Sequence, residues 1–161
     1  MRLTYWTDYS LRVLMFCAEC ESRHNVATIQ EIADLHGISK SHLTKIVMTL
    51  AAQGYLQTSR GRGGGLRLGR PAGQIVLGAV VRLTETDFQL VECFQDGPSS
   101  CALMPACHLK KVLADALEAF FVQLDGVTLA DLMNTTQAQR AVLQPIEFTP
   151  SRARSRPQPT P

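Results

Sequence analysis

Residues 28–54 confine the chain to a helical hairpin. Thr28-Ile-Gln-Glu31 is a capping box, in which the threonine hydroxyl closes the first turn and the glutamate reaches back to the cap. Ile29, Ile32, Ala33 and Leu35 then give a short amphipathic helix, and Gly37, free to take a positive φ, stops it. Ser39 caps a second helix, whose Leu43, Ile46, Val47 and Leu50 recur at the i, i+3, i+4, i+7 spacing of an inner stripe before Gly54 closes it. Two short helices joined by a tight turn containing glycine form a helix-turn-helix. The side of the second helix left outside carries Lys40, Ser41, His42, Thr44, Lys45 and Thr49. These are hydrogen-bonding groups with no carboxylate among them, which suits a helix lying in the major groove. A helical hairpin with a solvated polar face reads the same way on these residues alone.

The following residues favour the nucleic-acid reading. Residues 55–59 and 66–68 are short strand-like runs, and the tip between them reads RGRGGG. That tip lacks the Gly-Lys-Ser/Thr ending of a phosphate-binding loop, and no helix follows it directly. A helix-turn-helix followed by such a hairpin is a winged helix. Arg60, Arg62 and Gly63 are its candidate contacts, because glycines let the backbone approach and arginines can enter a minor groove. A mobile solvated loop is the alternative. The net charge of +2 decides nothing, but residues 1–80 hold nine Lys or Arg against five acids, and the remainder seven against nine. A basic N-terminal half is what a polyanion-binding module needs.

Elsewhere the periodicity is helical. Residues 7–20 predict a first helix with Leu11, Leu14, Met15 and Ala18 on its apolar stripe and Thr7 and Asp8 at its start. Cys17 and Cys20 on that helix lack the βαβ setting of a redox motif and are expected to be packing or surface thiols. Residues 75–83 predict another helix, with Ile75, Ala79, Val80 and Leu83 inward. From Pro105 runs the longest seam in the chain: Leu109, Val112, Leu113, Ala116, Leu117, Phe120, Phe121 and Leu124. Duplex-binding winged helices usually act as symmetric dimers, so this seam is expected to pair with a copy of itself. Gly126 ends that helix, and Thr128-Leu-Ala-Asp131 opens a short last one. The expected class is mainly α: a winged helix-turn-helix with a long C-terminal dimerisation helix. Its parts are the DNA-binding domain at 1–83, a loop at 84–108, the dimerisation helix and terminal helix at 109–135, and a basic, Pro-rich, disordered tail at 136–161.

Cys93, Cys101 and Cys107 stand in that loop with the spacing C-x7-C-x5-C, around turn formers. A disulfide framework wants an even count in a small secreted chain, whereas thiols sharing one loop suggest soft ligands for a metal centre. The paired knuckles of a zinc ribbon are missing, and three ligands do not close a zinc site. An iron–sulfur cluster held by three cysteines and one further donor fits better. Three unrelated core cysteines are the bland alternative. Asp8, Glu92, His108 and water are candidates for the fourth position.

Of 161 residues, 45% are hydrophobic, ample for the core of one domain with an arm. No secretory signal or membrane-spanning run is evident, and the odd count of five cysteines argues for a reducing cytoplasm. No Ser/His/Asp or paired-carboxylate arrangement points to an enzyme.

In combination these features resemble the bacterial iron–sulfur winged-helix regulators, and among them the nitric-oxide-sensing NsrR repressors. The likeness rests on MRLTYWTDYSLR at 1–12, GISKSHLTKI at 37–46, RGRGGGLRL at 60–68, the cysteine loop with PAC at 105–107, and LDGVTLADL at 124–132. The resemblance implies a cytoplasmic homodimer on double-stranded operator DNA, with one iron–sulfur cluster per subunit of the 4Fe–4S or 2Fe–2S type and nitric oxide as effector. It implies Cys93, Cys101 and Cys107 as cluster ligands, with Asp8 from the partner subunit as the fourth. The related IscR regulators place a histidine ligand three residues beyond the last cysteine, where this chain has Lys110, with His108 out of phase. The gap between the first two cysteines is longer than is usual among these regulators.

Overall fold

The computed structural model describes residues 2–61, 63–94, 101, 103–104 and 106–134; Arg62 and the tail expected at 136–161 lie outside them. Helix α1 (Tyr5–Ser22) is capped by Thr4, whose hydroxyl accepts from the Thr7 N–H at 3.4 Å. The helix therefore starts earlier than the expected 7–20, and Thr7 is not its cap. Thr7 is fully buried and donates its hydroxyl hydrogen to Thr84 Oγ1 at 2.9 Å, and Thr84 in turn donates to the Val80 carbonyl at 2.9 Å. Glu85 anchors the cap, accepting from the Thr4 N–H at 2.6 Å and its hydroxyl at 3.1 Å.

The stripe expected on α1 is only part of its buried surface. Leu14 and Ala18 are in the core, but so are Val13, Phe16, Cys17 and Cys20, while Leu11 and Met15 are half-buried at its margin. The cause is tertiary: α1 packs against four other elements at once. Cys17 and Cys20 are thus core residues, and burial raises both thiols, Cys20 to about 11.

The helix-turn-helix forms as its local signals dictate. Helix α2 (Ile29–His36) has the full capping box, with the Glu31 N–H on Thr28 Oγ1 at 3.2 Å and the Thr28 N–H on Glu31 Oε2 at 2.9 Å. Gly37 takes the left-handed conformation, φ 64°. Helix α3 (Lys40–Ala52) starts from Ser39 and buries Leu43, Ile46, Val47 and Leu50. Strands β1 (Leu56–Ser59) and β2 (Gly65–Leu68) pair antiparallel, Leu56 opposite Leu68 and Ser59 opposite Gly65. Leu66 also exchanges two backbone hydrogen bonds with Ala27, at 2.7 and 3.2 Å, which ties the wing to the entrance of α2. A side chain at position 65 would run into the Ala27 carbonyl, so this close approach requires glycine.

The expected helix at 75–83 is displaced. A 3₁₀ turn occupies Ala72–Gln74, and helix α4 runs Leu77–Thr84. Ile75 and Val76 are held extended, because the Leu129 N–H bonds the Ile75 carbonyl at 2.8 Å and the Leu77 N–H bonds the Val127 carbonyl at 3.0 Å. With the register set there, Leu77, Val80, Val81 and Thr84 turn inward, and Ala79, expected inside, is exposed. Helix α5 (His108–Asp125) starts after its cap residue Cys107; Pro105, expected near its start, lies outside the described residues. Helix α6 (Leu129–Met133) carries the Thr128–Asp131 capping box and returns Leu129 to the core beside α1.

Helix α5 meets the rest of the chain through α4. Arg82 donates to both carboxylate oxygens of Asp125, at 2.6 and 2.7 Å, and lies 4.1 Å above the Phe121 ring. Phe88 packs edge-on against the same ring, so Phe121 of the seam serves its own chain. No described residue of α5 is fully buried; Leu109 is 61% and Val112 48% exposed.

The α1–α4 junction makes a stability prediction. Thr84→Val leaves the buried Thr7 hydroxyl without its acceptor and should cost about 1–3 kcal/mol. Adding Thr7→Val removes the stranded donor and should recover part of that loss. Urea midpoints of the three proteins check it, and a double variant as unstable as the sum of the singles contradicts it.

Candidate nucleic-acid interface and metal centre

Helix α3 presents Lys40, Ser41, Thr44 and Lys45 to solvent. His42, expected on the same open face, is half-buried: its ring lies 5.8 Å from that of Trp6 and edge-on to Tyr9 at 5.4 Å. Trp6, Ser39, Ser41, His42 and Lys45 line a shallow cleft of about 340 Å³ with no carboxylate in its wall. Trp6 has no marker in the sequence, because its role follows from α1 lying across α3. Ser41, Thr44, Lys45 and Met48 fall at i, i+3, i+4, i+7 on one side of α3. Met48, which no sequence signal singles out, is 66% exposed there. Thr44 donates its hydroxyl hydrogen to the Lys40 carbonyl at 2.8 Å.

The wing supplies the second basic element. Arg60 is exposed, and Gly61 and Gly63 take φ of 99° and 78° at the tip, a backbone open only to glycine at low strain. Arg67, on β2 opposite Gln57, is also exposed.

The three loop cysteines are separated from the two core cysteines by exposure. Cys93 sits half-buried in a 3₁₀ turn (Glu92–Phe94), Cys101 is exposed, and Cys107 is half-buried at the start of α5. Residues 95–100, 102 and 105 lie outside the described residues. Among the described residues no three His, Cys, Asp or Glu side chains stand close enough to share one ion, so the thiols are not gathered in ligand geometry within the single chain. Their chemistry fits an iron–sulfur centre: three sulfur donors reachable from solvent, against two in α1 that burial keeps protonated.

Asp8 lies apart from them on α1. It holds Arg12 one turn on, with Arg12 Nε 3.0 and 3.1 Å from the two carboxylate oxygens and the terminal nitrogen 2.9 Å from Oδ2. Both side chains are more than 40% exposed, and such pairs contribute at most about 1 kcal/mol. The carboxylate can therefore change partners at little cost. His36 on α2 feels both charges. Burial and then Arg12 lower its pKa, Asp8 opposes them, and its buried Nε2 has no hydrogen-bond partner among the described residues. His108 and Glu92, the other candidate donors, are exposed.

Residues 3–135 match the sequence profile of the Rrf2 family, described as iron-dependent transcriptional regulators. The chain is 47% identical over 137 residues to the HTH-type transcriptional regulator NsrR of Bacillus subtilis, covering 85% of this chain and 93% of that one. It is 45% identical over 144 residues to the protein of the same name from Geobacillus kaustophilus, covering 89% and 97%. Among solved structures, the oxidised form of Staphylococcus aureus CymR superposes with a TM-score of 0.68 at 26% identity, over 84% of this chain and 98% of that one. A winged helix-turn-helix with a basic, carboxylate-free α3 thus occurs in a chain that matches these regulators over residues 3–135, and the chain belongs to the Rrf2 family of DNA-binding transcriptional regulators.

Proposed function

We propose that the protein is a cytoplasmic, homodimeric, iron–sulfur repressor that releases its operator in response to nitric oxide. The observation that carries this reading is the pairing of a winged helix with three solvent-reachable cysteines between α4 and α5. The iron dependence in the family description and the name NsrR on its relatives support it. The role is regulatory, without catalysis.

On this reading Lys40, Ser41 and Lys45 dock α3 in the major groove, and His42, clamped by Trp6 and Tyr9, fixes how α3 sits on α1. Arg60, Arg62 and Gly63 bring the wing to the neighbouring minor groove. Leu109, Val112, Leu113, Ala116, Leu117, Phe120 and Leu124 of α5 pair with the partner, which accounts for how much of that helix stands open in one chain. Phe121 completes the seam while it braces α4. Cys93, Cys101 and Cys107 hold the cluster, of the 4Fe–4S or 2Fe–2S type, and Asp8 of the other subunit gives the fourth ligand. The cluster these residues would hold would supply iron as a binding site for nitric oxide. An Asp8 not engaged there pairs with Arg12, as it does in the single chain. A coupling of about 1–3 kcal/mol between cluster and DNA gives a 5–150-fold change in operator affinity.

The decisive test is anaerobic purification with iron and sulfide counts. Cys93→Ala, Cys101→Ala and Cys107→Ala should each abolish the visible absorption, while Cys17→Ala and Cys20→Ala should keep it. Loss of colour in a folded helix variant places the ligands wrongly.

For the wing, Arg60→Ala should weaken binding to every duplex and flatten the slope of log K against log salt by about 0.9 for each phosphate the arginine neutralises. An unchanged slope removes Arg60 from the DNA. Asp8→Ala should keep a cluster on three cysteines but alter its spectrum, its nitric oxide kinetics and its DNA affinity. If all three stay as in wild type while His108→Ala changes them, the fourth ligand is His108.

A further inference from the structure

The groove-facing side of α3 carries an apolar row alongside its polar groups. Ser41, Thr44, Lys45 and Met48 share one side of the helix. Met48 ends in a methyl thioether that is 66% exposed, among the most exposed large apolar side chains of the molecule. A lone exposed methionine is ordinary. Its place one turn beyond Thr44 is not, because Thr44 has also given up most of its polar capacity. Its single hydroxyl hydrogen goes to the Lys40 carbonyl at 2.8 Å, so it has none to donate to a base. What Thr44 keeps for a ligand is a methyl group and an acceptor lone pair. Two adjacent turns of α3 thus offer methyl groups, flanked by the ammonium groups of Lys40 and Lys45 that draw a polyanion to this face.

Base edges in the major groove expose one apolar group, the C5-methyl of thymine. We propose that Met48 and Thr44 are specificity-determining residues that read thymine methyls, so that each operator half-site carries thymine at one or two positions contacted by apolar packing. The proposal rests on the reading of α3 as the DNA-facing helix and adds which base that helix selects and by what chemistry. Met48 lies on the solvent side of α3, opposite Val47 and Leu50, so changing it leaves the core intact.

The probe is the duplex that the full-length, anaerobically purified wild-type protein selects from a random-sequence library, resynthesised with deoxyuridine replacing thymidine one position at a time. Removing a packed methyl should weaken binding about fourfold at the contacted positions, the worth of one buried methylene-sized group. Met48→Ala should bind the thymine duplex about fourfold more weakly and no longer distinguish thymine from uracil at one of those positions. Its salt slope should equal that of wild type. Met48→Leu, which restores an apolar contact, should recover the discrimination, and Thr44→Ser, which keeps the hydroxyl and removes the methyl, should lose it at a neighbouring position. Indifference of the wild type to uracil everywhere, or full discrimination by Met48→Ala, overturns the proposal. Lys45→Ala separates the two layers. If it weakens binding while uracil has no effect, only the methyl reading falls. If it leaves affinity and salt slope unchanged, α3 is not at the DNA and both readings fall.

Discussion

The hydrogen bond from Thr7 to Thr84, buried where the start of α1 meets the end of α4, sets the position of everything else. Helix α1 packs against α3, β2, α4 and α6, so its placement orients the recognition helix, the wing and the return of α6 together. Close-packed apolar side chains already resist sliding, and hydroxyl pairs add a directional constraint. Thr7 with Thr84, and Thr4 with Glu85, fix both the rotation and the axial position of α1, since a slip of one residue strands the buried Thr7 hydroxyl and the buried Glu85 carboxylate. The Arg82–Asp125 fork does the same for α5 on α4, although at the surface, where geometry matters more than energy.

What is legible in the sequence divides along the range of the forces involved. The caps at Thr28, Ser39 and Thr128 stand where the sequence places them, because a cap is a contact between residues three apart. The inner stripe of α3 is equally local. The start of α1 is not, because Thr7 is as good a cap by type as Thr4, and the choice between them is made by Thr84 and Glu85, far along the chain. Ala79 falls on the wrong side for the same reason: a two-strand bridge to residues 127–129 sets the phase of α4, and nothing within residues 75–83 announces it. The stripe on α1 understates its buried surface because an amphipathic pattern assumes one buried face, whereas this helix is surrounded.

The candidate site is legible as chemistry and not as geometry. Turn formers around Cys93, Cys101 and Cys107 keep those thiols out of the core, and they are indeed at or near the surface while Cys17 and Cys20 are inside. Any convergence of the three on one ion, as proposed, would depend on chain segments that no local rule fixes. The outward row of α3 looks wholly polar when residue types are counted by side-chain formula. Thr44 shows the error: a threonine that back-bonds to the carbonyl one turn before it presents a different surface from one that does not. Likewise His42 counts by type as a polar donor, but in the fold it is a packing residue between two aromatic rings.

Adjacent residues at the start of α1 are therefore held very differently. Thr7 is locked in the core, and Asp8 stands near the surface paired with Arg12, in a pair of a kind that is easily exchanged. Trp6 and Tyr9, on either side of them, grip His42 of the recognition helix. One turn of helix thus contains a fixed point, a replaceable charge and a grip on α3. On the proposed reading, a pull on Asp8 from the partner subunit acts next to the fixed point at Thr7. Such a pull bears on the same turn of α1 that carries Trp6 and Tyr9. Through their contacts with His42, Trp6 and Tyr9 link that turn to the first turn of α3. On the proposed reading, this is why a ligand exchange at the surface suffices to control the DNA-binding head: the core supplies a fixed pivot, and only weak contacts have to change.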